Sequence, residues 1–146
     1  MQASATQQFL EGYKAAVYQK DLDAFCRLYA DDVSIFDAWG GPWFTDGLAD
    51  LRQSTEQWFS SLGEERVLVA ESEVRAANLE SLAVAHGIWR FAAVSVDGTE
   101  LRWLENRFSV SLRLESGSWK VFHQHTSSPA EFGSGKVQLR RLQSAA

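Results

Sequence analysis

Residues 81–126 read SLAVAHGIWRFAAVSVDGTELRWLENRFSVSLRLESGSWKVFHQHT. Three runs in this stretch, Ser81–Val94, Leu101–Leu114 and Ser118–Thr126, are rich in β-branched and aromatic residues, which pack well on a pleated surface. Between them stand Asp97-Gly98 and Ser116-Gly117, pairs whose glycine supplies the positive φ that a tight hairpin needs. With Val67–Ala76 ahead of them, these runs predict four antiparallel strands in chain order. Strands this long in a chain of 146 residues imply strong twist or bulges.

Upstream, the hydrophobic period changes from two to about 3.6. Phe9, Leu10, Tyr13 and Val17 recur at helical spacing behind the capping candidates Ser4 and Thr6. Asp21 is placed to cap a second helix with Leu22, Phe25, Cys26 and Tyr29 on its apolar stripe. After Asp31-Asp32, Val33–Phe36 reads as a short strand, followed by a loop, Ala38–Asp46, containing Gly40-Gly41-Pro42. A third helix is predicted over Leu48–Leu62, ended by Gly63. The outline is α+β: about three N-terminal helices packed on a strongly curved antiparallel sheet, a cone that one layer of helices does not fill. A pocket is the expected consequence. Residues 1–130 read as this domain and residues 131–146, with Gly133-Ser134-Gly135, as a C-terminal tail.

Composition narrows the function classes. Hydrophobic residues make up 45% and charged residues 23%, a globular balance. A net charge of −5 argues against a nucleic-acid binder, which needs a basic face to displace counterions. No apolar run approaches the ~20 residues of a membrane span. Met1–Gln8 lacks the pattern of a signal peptide, and the single cysteine, Cys26, sits on an apolar stripe, so a cytoplasmic location is expected. Six tryptophans and nine phenylalanines suffice both to fill a core and to line a cavity or a subunit interface.

Three motifs carry a family resemblance. They are Asp21-Leu22-Asp23-Ala24-Phe25 running on to Leu28-Tyr29-Ala30-Asp31-Asp32-Val33; Asp97-Gly98 followed by Arg107-Phe108-Ser109; and Gly117–Ser127 followed by Pro129. In their order and spacing the chain resembles the NTF2-like superfamily, and within it the SnoaL-like and ketosteroid-isomerase-like domains. The third motif is also similar to the association domain of calmodulin-dependent kinase. The resemblance implies the cone but not an activity, because the fold hosts isomerases, cyclases, dehydratases, transport factors and assembly modules. It implies a catalytic aspartate at Asp37 and a catalytic tyrosine at Tyr13. The acid that completes the isomerase oxyanion hole would fall on Ser109 or Val110, and neither is acidic, so true ketosteroid isomerisation is not expected.

A carboxylate at the mouth of an apolar cavity has a physical use, since burial raises its proton affinity toward that of a general base. A tyrosine hydroxyl opposite it would stabilise an oxyanion. The simpler alternative is that Asp37 caps a turn and Tyr13 is core. Strand alternation, read through the resemblance, places Val84, His86, Ile88 and Arg90 inward, with Val110, Phe122 and Thr126. An inward arginine suits an anionic ligand or an internal ion pair. Trp39 and Trp43 are candidate lid residues over a ligand. Trp89, Phe91 and Trp119 then fall on the outer sheet face, an arrangement that suits a homodimer interface.

His123 and His125 share a strand face. The same parity turns them outward, and no third ligand accompanies them, so no metal site is expected. A bulge in that strand would reverse them, and they stay doubtful pocket residues. No phosphate loop or dinucleotide fingerprint is present, so no cofactor is expected. These features point to a protein that binds a small, apolar or weakly anionic molecule, without nucleic acid or membrane partners. It would be either an enzyme doing proton transfer or a non-catalytic ligand-binding or dimerisation module.

Overall fold

The computed structural model describes residues 3–141. Helix α1 (Ala5–Gln19) is opened by a capping box in which Ser4 and Gln7 satisfy each other's backbone N–H groups. Helix α2 (Leu22–Cys26) is capped by Asp21, whose carboxylate accepts from the Ala24 N–H at 3.0 Å. After β1 (Tyr29–Phe36) and the short β2 (Thr45–Asp46) comes α3 (Leu48–Ser61), then β3 (Arg66–Asn78), β4 (Leu82–Val94), β5 (Glu100–Glu115) and β6 (Ser118–Ser127). Tyr29 therefore belongs to β1 and not to the second helix, which closes one turn earlier at Cys26.

The strands form one six-stranded curved sheet in the order β2-β1-β6-β5-β4-β3, with the helices on one face. The meander β3 to β6 is antiparallel, but β1 and β6 run parallel, so the sheet is mixed rather than antiparallel throughout. Helix α3 delivers β3 running against β1, and after the hairpins reverse direction in turn, β6 runs along it. Gly98 and Gly117, at the two predicted turns, have φ of 85° and 84°. No helix among the described residues is long and apolar enough to cross a membrane.

The facing of β4 is opposite to the expectation. Ala83, Ala85 and Trp89 are buried toward the helices, and Phe91 packs on the same core. His86 and Val84 are exposed, and Arg90 is tied to Glu100 at 2.7 Å. Energy decides this. Each large ring buries about 150–250 Å², so turning Trp89 and Phe91 inward is worth roughly 8–12 kcal/mol at about 25 cal/mol per Å². Burying Val84 and Ile88 instead would return about half of that and would put His86 and Arg90 into an apolar core.

In β6 a bulge intervenes between the pairs Ser111–His123 and Leu112–Val121. The extra residue is Phe122, which lies on the outer side under the Arg113 guanidinium. Trp119 and Val121 consequently join the core side, and Trp119 packs against it. The bulge thus reverses Phe122 and Trp119 and leaves both histidines outward. Trp89, Phe91 and Trp119 are accordingly unavailable as an outer interface.

The segment after β6 turns back across the outer face. Ala130 bridges Val137, and the Glu105 N–H donates to the Leu139 carbonyl at 2.7 Å. Arg141 closes on the Glu105 carboxylate at 2.6 Å.

Candidate functional site

Alternation along β1 points Val33 and Ile35 into the core and brings Asp37 to the end of the strand on the same side. Ile35 pairs with Gln124, and one step on, the Thr126 hydroxyl donates to Asp37 Oδ1 at 3.0 Å while accepting from the Ala38 N–H at 2.9 Å. The Trp39 N–H also donates to Asp37 Oδ1, at 3.1 Å. Asp37 thus does cap a turn, as the simpler alternative had it. It is exposed, and its second carboxylate oxygen is left for other partners.

Tyr13 is buried on α1, stacked on Trp89 at 4.5 Å, and Trp89 stacks in turn on Phe108 at 4.2 Å. The middle of the interior is filled by these rings. The Tyr13 phenol is pushed far above its ordinary range by burial and then by the charge of Asp37. Tyr29 is raised in the same way, by burial first and then by Tyr13 and Asp37, and its hydroxyl donates to Gln124 Oε1 at 2.7 Å. Both phenols therefore stay protonated at ordinary pH, with Asp37 the carboxylate whose field reaches them.

Around Trp89, which stacks on Tyr13, lie polar atoms that the sequence does not single out. Trp89 faces Asn106 across β4 and β5, and Glu71 across β3 and β4. Trp89 Nε1, Asn106 Oδ1 and Glu71 Oε2 are buried without a hydrogen-bond partner, as is Ser128 Oγ just past the end of β6. A polar residue at an inward position was the available signal for Asn106, but inverted parity in β4 hid its relation to Trp89.

The other expected site residues divide. Thr126 faces inward and holds Asp37. Val110 also faces inward, within the packed core. Trp39 and Trp43 lie in the loop after Asp37, exposed at 45% and 94%, beside Phe44. His86, Arg90 and Phe122 lie on the outer face and take no part in the Asp37 group. His123 and His125 flank Phe36 edge-on from outside the cone, and His123 Nδ1 lies 2.9 Å from the Ser34 carbonyl oxygen. No group of three His, Cys, Asp or Glu side chains placed to hold a metal ion occurs among the described residues.

Three helices on one face of a six-stranded, curved, mixed sheet define an NTF2-like α+β protein. The chain belongs to the SnoaL-like domain family, whose match covers residues 7–131. It is similar in fold to an NTF2-like protein of unknown function from Pseudomonas putida KT2440, with a TM-score of 0.81, 23% identity and 94% of each chain covered. An NTF2-like superfamily protein from Salmonella enterica serovar Typhimurium matches with a TM-score of 0.68 and 19% identity over 90% of this chain and 93% of that one. A candidate calcium/calmodulin-dependent protein kinase II association domain from Xanthomonas campestris matches with a TM-score of 0.67 and 16% identity over 86% of each. At these identities the likeness establishes the fold alone. No curated protein matches the chain by sequence.

Proposed function

We propose that the chain binds a small, largely apolar organic compound bearing a carbonyl or hydroxyl oxygen at the Asp37 end of the cone. There it does proton-transfer chemistry of the isomerase, cyclase or dehydratase type, without metal or nucleotide. The supporting observation is the run of unpartnered buried polar atoms, Glu71 Oε2, Trp89 Nε1 and Asn106 Oδ1, on adjacent strands around Trp89, which stacks on Tyr13. Each such atom costs about 1–3 kcal/mol if left unpaired, whereas apolar side chains there would cost nothing of the kind. In this reading Asp37, held by Thr126, takes a proton from carbon next to a carbonyl. The Tyr13 phenol donates to the oxygen where negative charge develops, and Asp37 returns the proton to a second carbon. Trp39 and Trp43 close over the ligand. A cytoplasmic location belongs to the same reading and rests on the lone, buried Cys26.

The test is a thermal-shift and turnover screen with planar carbonyl compounds on the parent, Asp37→Asn and Asn106→Leu. Asp37→Asn should abolish turnover while retaining binding, and Asn106→Leu should weaken binding. Turnover and binding both unchanged in Asp37→Asn would falsify the assignment.

Assembly is the second reading, and the half-exposed Leu82 and Val84 on the outer face favour it. A dimer that survives dilution and is split by Val84→Asp in sedimentation velocity supports it. A monomer at every concentration removes it.

A further inference from the structure

Register sets Arg75, His86, Ser109 and His125 side by side across β3 to β6 on the outer face. The next row holds Ile88, Arg107 and Ser127. Together they line a hollow of about 500 Å³, within the size range of small-molecule sites. Its rim on β3 is set by the irregularity between Ser72 and Arg75, where Glu73 takes a φ of 55°. Past Ile88 and Arg107 a second hollow of about 250 Å³ runs on under Pro129 and Arg141 of the C-terminal segment.

Charge within this hollow is unbalanced, although the chain as a whole is acidic. Among the described residues, the ion pairs engage Lys14, Arg52, Arg90, Arg102, Arg113 and Arg141, and none engages Arg75 or Arg107. Arg107 spends its Nε–H on the Ser127 hydroxyl at 3.0 Å, which steadies the side chain and leaves its terminal nitrogens as donors. Glu73 also lines the hollow, so a single carboxylate there faces two guanidinium groups. Two guanidinium groups that share one hollow repel each other unless an anion lies between them.

We propose that this hollow binds an organic carboxylate, at a site separate from the Asp37 group on the opposite face of the sheet. Arg75 and Arg107 present forked donors that match a carboxylate. His86 and His125 flank it, the Ser109 hydroxyl adds a donor, and Ile88 offers an apolar surface to the body of the compound. An apolar-bodied monocarboxylate fits better than a polyanion, because Glu73 stands at the rim.

The experiment is an amide-resolved NMR titration of the whole protein with benzoate and, separately, with benzamide, its neutral counterpart. Benzoate should give saturable shifts confined to residues 86–88, 107–109 and 125–127, and benzamide should not. Arg107→Gln and Arg75→Gln should each weaken benzoate about tenfold or more, Arg107→Lys by less, and the remote Arg27→Gln not at all. The same spectra show that each variant is folded. The proposal is overturned if benzamide shifts the same amides equally, or if Arg27→Gln weakens benzoate as much as Arg107→Gln does. It is also overturned if benzoate shifts only the Asp37–Thr126 end, or if dilution of the ligand-free protein shows a dimer covering these amides. Loss of the Asp37 activity leaves these outcomes untouched, so the two readings fail separately.

Discussion

Two tryptophans on opposite faces of the sheet are both covered by stacked groups, in opposite ways. Trp89 lies inside, against the Tyr13 and Phe108 rings, and is wholly buried. Trp103 lies outside, with the Arg90 guanidinium 4.4 Å from its ring centre and that of Arg140, from the C-terminal segment, 4.2 Å away. The inner stack removes apolar area from water, which is the dominant favourable contribution to folding. The outer stack works through cation–π attraction, about 0.5–1 kcal/mol per contact at exposed sites. One face therefore carries the stability, and the other is free to be polar.

Trp89→Ala should break the comparison most sharply, with a loss of about 3–5 kcal/mol in urea unfolding. Gly87→Ala comes next. A methyl there would meet the Ser72 carbonyl oxygen at 3.0 Å and the Phe108 and Val74 side chains at 3.1 Å. The cost should be about 1–3 kcal/mol, and equal stability would mean that the β3 irregularity yields. Trp103→Ala should lose about 1–2 kcal/mol, chiefly by freeing the C-terminal segment. Hydrogen exchange at the Glu105 amide, which donates to Leu139, reads this directly. At the small end, His86→Ala should stay within about 0.5 kcal/mol. A larger loss would mean that the outer face is part of the folding core after all.

Acid should separate the faces as well. The Glu105 carboxyl is held below its ordinary value of 4.5 by the hydrogen bond from Arg141, against the opposing effect of burial. A depressed carboxylate contributes stability in full above the ordinary value and loses it as pH falls through the lowered folded value. Urea midpoints measured from pH 7 downward should therefore drop below about pH 4.5, and Arg141→Ala should drop less steeply. Parallel curves would mean that this ion pair does not hold the segment.

The four strands of the meander are legible because their signals are local, whereas β1 starts at Tyr29, ahead of the predicted Val33, and β2 (Thr45–Asp46) lies in the predicted loop. The pattern predicts Ser81–Val94 and the strand is Leu82–Val94, and Ser116-Gly117 turns where two positive φ values are needed. Tyr29 falls on the wrong element because a tyrosine suits a helix stripe and a strand equally, and its hydrogen bond to Gln124 is remote in sequence. Asp37 is a candidate only through the family resemblance, and its link to Thr126 and the field it exerts on Tyr13 appear only in three dimensions. The outer hollow could not be read at all, since Arg75, His86, Arg107 and His125 become neighbours only through strand register.

The chain by itself determined the three helices, the order of the four long strands β3 to β6, the turns between them and the family resemblance, because propensity, capping and turn chemistry act between residues close in sequence. The short β2 (Thr45–Asp46), inside the stretch that reads as a loop, exists only by pairing with β1. Tertiary structure alone decided which face each strand buries. In β4 both alternating sets contain apolar residues, and only packing against Tyr13 and Phe108 favours Trp89 over Ile88. In β6 a single extra residue, Phe122, shifted its neighbours to the other face, and a bulge leaves no mark in the period of a strand.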